Sequence, residues 1–216
     1  MKNVNKILVN SNIDINNSIN DLTTVDSKIN LNVNGESIIY IVNQNIENLV
    51  INIKDNSKLD IYIYNVCKLK YIEINQNSNS SINFNYSYVN YEDNYLEVVN
   101  NIEDDNNKTD ILIKNISNKG LSSIVVRANI NKNSKDNYLS ESVKGIITGG
   151  YIEIDPIIVC DSNEVEANHS ATISGVDTKQ VNYLMSKGLS EKLSSELVMN
   201  GFIKSNMDDY IKEFYN

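Results

Sequence analysis

The chain has 216 residues, 41% of them hydrophobic, and a formal net charge of −9. This length supports one large domain, or one domain with a small appendage, around a core that needs no staples. A single arginine (Arg127) on an acidic background excludes a surface that neutralises phosphates, so no nucleic-acid partner is expected.

The N-terminal stretch from Met1 to Asn17 contains no uninterrupted apolar segment, so no signal peptide is expected. No stretch further on approaches the ~18–20 apolar residues of a membrane span. A cytoplasmic location is the expectation. The Asn/Ile/Lys/Tyr-heavy composition suggests AT-rich coding sequence, which would account for the Asn-rich turns.

From about residue 37 to 160 apolar and polar residues alternate in short runs. The runs are Ser37–Val42, Asn48–Ile53, Leu59–Tyr64, Leu69–Ile74, Ser81–Tyr88, Tyr95–Val99, Asp110–Lys114 and Ser123–Ala128. A period of two with β-branched and aromatic residues predicts strands, and the Asn/Asp/Ser/Lys clusters between them supply turns. Run starts near 48, 59, 69 and 81 are about ten residues apart, a spacing that a sandwich shares. Two features favour stacked coils. The tight Asn-Gly or Asp-Gly hairpin turns of a meander are missing. Runs two apart also resemble each other, giving a period of roughly twenty. The predicted fold is mainly β, a β-helix of short stacked strands.

Several residues on this stretch invite a function. Cys67 and Cys160 are too few and too far apart for a disulfide framework or a CxxC zinc site, and Cys67 reads as core. The tyrosines at 62, 64, 71, 86, 88, 91 and 95 read as structural ladders of stacked coils rather than a sugar platform. Glu103-Asp-Asp105 reads as a loop. No Ser-His-Asp ordering, HExxH, P-loop or dinucleotide glycine motif is present, so an enzyme is not expected.

Strand character ends after Ala167, which follows a last long run containing the one proline, Pro156. Asp177 is placed to cap a helix over 178–186 that Gly188 stops, and Ser190 to cap a second. Leu193, Leu197, Met199, Phe202, Ile203, Met207, Tyr210, Ile211 and Phe214 then recur at three- and four-residue steps. They predict one amphipathic stripe about six turns long across Gly201. The stripe is expected to pack on the end of the β-stack, to offer a docking groove, or both. The boundaries predicted are 1–174 for the β-core, with the first thirty residues least defined, and 175–216 for the helical domain.

The segment Pro156-Ile-Ile-Val-Cys-Asp-Ser-Asn-Glu-Val-Glu-Ala-Asn-His-Ser-Ala-Thr172 leads into Val176-Asp-Thr-Lys-Gln-Val-Asn-Tyr-Leu-Met-Ser-Lys-Gly-Leu-Ser-Glu191, and Leu197-Val-Met-Asn-Gly-Phe202 follows. Over about 153–205 this resembles the C-terminal signature of the SufB/SufD family of iron–sulfur cluster assembly proteins. There, a proline-led strand runs into an acidic turn, a histidine motif, and a helix pair ending in Gly-Phe. The resemblance implies a right-handed parallel β-helix with a small C-terminal helical domain. It also implies dimerisation through the core, as a homodimer or a SufB/SufD-like heterodimer. A SufC-like ABC-type ATPase would dock on the C-terminal helices, with Tyr183, Leu184, Leu193, Leu197 and Phe202 as the candidate contacts. The cargo would be a transient iron–sulfur cluster at the dimer interface.

Carried over by position, His169, the only histidine, is the motif histidine and the preferred iron ligand. Ser170 stands where SufB has Glu and SufD has Gly, and Asn168 where SufB has Glu and SufD has Ser. The SufB cysteine would fall near Glu141-Ser142-Val143, where this chain has none. Cys160, nine residues before His169, is a candidate thiolate in its place. Glu164 and Glu166, which share a face if the segment is extended, are candidate oxygen ligands. The function expected is a scaffold subunit of a SUF-type biogenesis complex. The alternatives are an adaptor that binds the ATPase but no cluster, and a carbohydrate-active β-helix protein.

Overall fold

The structure is a computed structural model that describes residues 5–9, 22–25 and 27–214, with side chains described from 27 to 211. Among the described residues fourteen strands wind into a parallel β-solenoid of about five turns. They are β1 (Asn5–Val9), β2 (Leu22–Val25), β3 (Lys28–Val33), β4 (Glu36–Val42), β5 (Asn48–Ile53), β6 (Lys58–Tyr64) and β7 (Tyr71–Gln76). These are followed by β8 (Ser81–Asn90), β9 (Asn94–Ile102), β10 (Lys108–Ser117), β11 (Leu121–Ile130), β12 (Asn137–Ile147), β13 (Tyr151–Cys160) and β14 (Val165–Ser174). From β3 onward, successive strands alternate between two seven-stranded sheets. One runs β1-β4-β6-β8-β10-β12-β14 and the other β13-β11-β9-β7-β5-β3-β2. Every described pairing is parallel except that of β2 with β3.

Alternation explains why the sheets face each other. Along β5, β6 and β11 every second residue is buried, and those residues are Leu, Ile, Val or Ala, with Ser122 at the start of β11. Most of their side chains fill the lumen between the sheets in one cluster from Ile29 to Val143, and Ala128 and Ile130 join a second with Ile102 and Leu139. Tyr86 and Tyr88 stack within it at 4.7 Å, and Tyr86 donates its hydroxyl to the carbonyl of Val66 at 2.6 Å. The expected stacking from coil to coil holds for Tyr62, which stacks in register on Tyr40 at 5.6 Å on the outer face, whereas Tyr86 and Tyr88 are neighbours along one strand. Tyr91 and Tyr95 are exposed instead. Cys67 is also a correction. It is half-buried at the turn after β6, outside the core, with its thiol against Asn65 Oδ1 and the Val89 carbonyl.

The asparagines do more than record base composition. Asn32, Asn52, Asn75, Asn101 and Asn129 lie in register on the outside of one sheet. From Asn52 on, each side-chain amide donates to the side-chain carbonyl of the asparagine one coil before it at 2.8–2.9 Å, a ladder over five coils. At turns, Asn43, Asn56, Asn65, Asn79 and Asn106 take positive φ, a conformation asparagine tolerates better than other side chains. Replacing Asn75 by Ala removes a donor and an acceptor from the middle of the ladder. The expected loss in urea unfolding is about 1–2 kcal/mol, and an unchanged midpoint would show that the ladder holds nothing.

Two expectations about the C-terminal half are corrected. Strand character does not stop at Ala167, because β14 runs to Ser174. The predicted six-turn stripe is also not one helix. Helix α1 (Thr178–Ser186) is followed by α2 (Glu191–Lys204), and a 3-10 helix occupies Asp209–Phe214. Polar side chains break the run between them. Ser205 Oγ donates back to the Phe202 carbonyl, Asn206 bonds Ser87 and Asn85 of β8, and Asp208 caps the amide of Tyr210. Phe214 lies outside the described side chains.

Helix α2 and the 3-10 helix lie along the outer face of the first sheet rather than over the end of the stack, and α1 packs on α2. Ile203 of α2 packs with Ile116 and Ile146, and Met207 and Ile211 pack with Tyr40 and Val42. Lys114, buried on that face, donates to the Phe202 carbonyl at 3.0 Å and to Ser205 Oγ, closing the C-terminus of α2. Burial, helped by nearby Lys144, holds its ammonium below the usual lysine range. The last coil, β13 with β14, is left uncovered. Among the described residues no helix is long and apolar enough to cross a membrane.

Candidate functional site at the open end of the stack

Among the described residues β14 pairs only with β12, and β13 only with β11, so the two strands form the final rung. Their residues are correspondingly more exposed than those of any inner coil. Tyr151, Val159 and Ile173 stand out as large exposed side chains. Pro156 is tolerated here because β13 is an edge strand.

Register decides which side each candidate faces, since paired residues on parallel strands share a face. His169 pairs with Glu141, and Ala167 and Ala171 pair with Leu139 and Val143. Leu139, Glu141 and Val143 are all buried in the lumen. His169 therefore sits on the lumen side of the terminal rung, exposed, with a small alanine on either side of it along that face. Glu166 pairs with the half-buried Tyr138 and faces outward, away from His169. Glu164 precedes the strand and is engaged by Lys135 at 3.5 Å, with both side chains more than half exposed. Cys160 pairs with the buried Ile130, on the lumen side of the opposite sheet, and its thiol is exposed near the Ser162 carbonyl at 3.3 Å.

The sequence candidates are thus divided. His169 and Cys160 share the open lumen end on opposite sheets, whereas Glu164 and Glu166 point elsewhere. Among the described residues no three His, Cys, Asp or Glu side chains are grouped to hold a metal ion.

The residue that sequence reasoning passed over is Glu141. It is 2% exposed, and neither carboxylate oxygen has a hydrogen-bond partner. Burial pushes its carboxyl up to about 7. The signal was present in the alternation: Leu139 and Val143 mark the inward positions, and Glu141 lies between them.

The helix pair forms the second feature. Asp177 accepts the amides of Lys179 at 2.9 Å and Gln180 at 3.3 Å, which hold its carboxyl below the usual range and start α1. Ser190 accepts the Leu193 amide at the start of α2, and Gly188 takes the positive φ of the turn between them. A groove of about 660 Å³ runs between the helices and the end of the sheet. Leu184, Leu197 and Phe202 line it, with Ile146 and Val198. Tyr183, Leu193 and Leu197 are exposed on the helix surfaces. Of the five predicted partner residues, Leu184, Leu197 and Phe202 line this groove, whereas Tyr183 and Leu193 are exposed on the helices outside its lining.

Comparison with known proteins finds similarity to one family over part of the chain. Residues 98–202 match the SufBD core domain of the SUF system for FeS cluster assembly. The SufD iron–sulfur cluster assembly protein of Bacillus subtilis is 34% identical over 77 residues, 36% of this chain and 16% of the relative. A SufBD family iron–sulfur cluster assembly protein of Methanocaldococcus jannaschii is 38% identical over 64 residues, 30% of this chain and 19% of the relative. A third, from Pyrococcus horikoshii, is 30% identical over 80 residues, 31% and 18% of the two chains. The matched stretch is thus less than a fifth of each relative's length. From the middle of β9 to the Gly-Phe of α2, this chain matches the SufBD core domain and is similar to SufB/SufD family proteins.

Proposed function

We propose that the chain is a non-enzymatic scaffold subunit for iron–sulfur cluster assembly, with two working surfaces. The open end of the stack meets a second β-core, a copy of this chain or a related one, and presents His169 to the cluster as cargo. The groove between α1 and α2 receives an ABC-type ATPase of the SufC kind. Movement of the helices on nucleotide binding would be passed through Lys114, Ile116 and Ile146 to the strands that lead into the end coil. The observation that carries this reading is the pairing of a bare terminal rung with an apolar groove on the adjoining helices.

Capture of the ATPase by the full chain tests it. The wild type is expected to retain the ATPase, and Leu197→Glu, a change at an exposed position, to weaken retention at least about tenfold. Equal retention by both would remove the groove from the proposal. A second reading, an adaptor that engages the ATPase but carries no cluster, draws support from the dispersal of Glu164 and Glu166 away from His169. Anaerobic reconstitution with iron and sulfide separates the two. The scaffold should hold a cluster that His169→Ala loses, whereas the adaptor should hold none.

A further inference from the structure

Glu141 lies one rung beneath the mouth of the lumen, with Leu139 and Val143 on either side of it along β12. Its register partner on the inner side is Ile111, also buried, so the floor beneath it is apolar. On the outer side its partner is His169. Adjacent strands are about 4.8 Å apart, so the carboxylate and the imidazole occupy successive rungs on one face. Ala167 and Ala171 flank His169 on that face and leave the space around the ring to other groups. The described structure offers the carboxylate no donor. A carboxyl group held in an apolar setting without a donor is heavily disfavoured unless something else satisfies it. A cation entering at the open end is in position to do so, and the imidazole stands at the point of entry.

We propose that Glu141 and His169 together form a nitrogen–oxygen site for one divalent transition-metal ion, of the iron(II) class, at the open end of the lumen. The donors decide the class. Carboxylate and imidazole suit borderline divalent ions, whereas clusters are held mainly by thiolates. The protein supplies two ligands, and the remaining positions fall to water or to a group brought by whatever covers the end coil. The proposal rests on the reading of that coil as the working end. It adds that iron is held there as an ion, before any sulfide joins it.

Anaerobic titration of the full chain with cobalt(II), read by its visible absorption, and with iron(II), read by equilibrium dialysis, tests the site. About one ion per chain is expected for the wild type. Binding should weaken at least about tenfold in Glu141→Gln and in His169→Ala, and stay unchanged in Glu166→Gln, which faces outward. His169 is exposed and Glu141→Gln removes a buried charge, so circular dichroism of both variants should match the wild type and exclude unfolding as the cause. Wild-type binding retained in Glu141→Gln would overturn the proposal, as would no ion bound by the wild type. Failure here is distinguishable from failure of the assembly reading. A chain that captures the ATPase but takes no ion loses only this site, and one that takes the ion but captures no ATPase loses only the groove.

Discussion

In chelator-containing buffer, Glu141→Gln is expected to be about 3 kcal/mol more stable than the wild type at pH 8, and no more stable than it below about pH 4. The reason is linkage. The carboxyl titrates at about 7 in the fold and near 4.3 in the unfolded chain. Between these values the native state holds a proton that the unfolded state has lost, so wild-type stability falls as pH rises through this window. Above pH 7 the full penalty of a buried, unpartnered carboxylate is present. Below pH 4 both states are protonated and the penalty is absent. An amide in the same place carries the burden of the protonated acid but never the charge, so the variant should show no such decline. Urea midpoints at pH 4 and pH 8 measure the difference, and parallel pH profiles for the two proteins would refute it. A fold that keeps so unfavourable a group at its open end is consistent with a role for that group beyond packing.

The second large effect belongs to the middle of the stack. Phe84 is fully buried on β8, with Ile61 in register on one side and Ile111 on the other. Phe84→Ala removes the ring from a lumen filled by neighbours on adjacent coils, and the expected loss is about 3–5 kcal/mol. Each coil of a solenoid touches only the next, so a void at β8 also uncouples the coils before it from those after it. Unfolding followed by circular dichroism should shift to lower urea and broaden into two stages. A loss under about 1 kcal/mol would mean that the coils close over the space.

The two predictions come from opposite ends of what the sequence made legible. Phe84 could be placed from the alternation in Ser81–Tyr88 alone. A period of two with Ile, Val and aromatic residues on one face is a local property, and it located β4 to β11 to within a few residues. Caps were equally local. Asp177, Ser190 and Gly188 start and stop the helices where their side-chain and backbone preferences require. The final strand was read too short because its lumen side carries Ala167, His169 and Ala171 in place of large apolar residues. With no coil above it, that rung needs little apolar surface. The long helical stripe was misread for the converse reason. Apolar residues keep their three- and four-residue steps through Ser205–Asp208, but partners on β8 and β10 hold the polar side chains there and divert the chain.

The sequence alone determined that the chain forms short stacked strands followed by capped helices, and it singled out His169 by motif. Only the tertiary structure decided which residues meet. The offset between successive coils grows from 20 residues between β3 and β5 to 30 between β10 and β12. No fixed period therefore predicts which residue lies above which. Register is set by the lengths of the turns and by how each rung seats on the last, a cooperative outcome that no local pattern contains. It places Glu141 beside His169, 28 residues further on, and turns Glu166 to the other face.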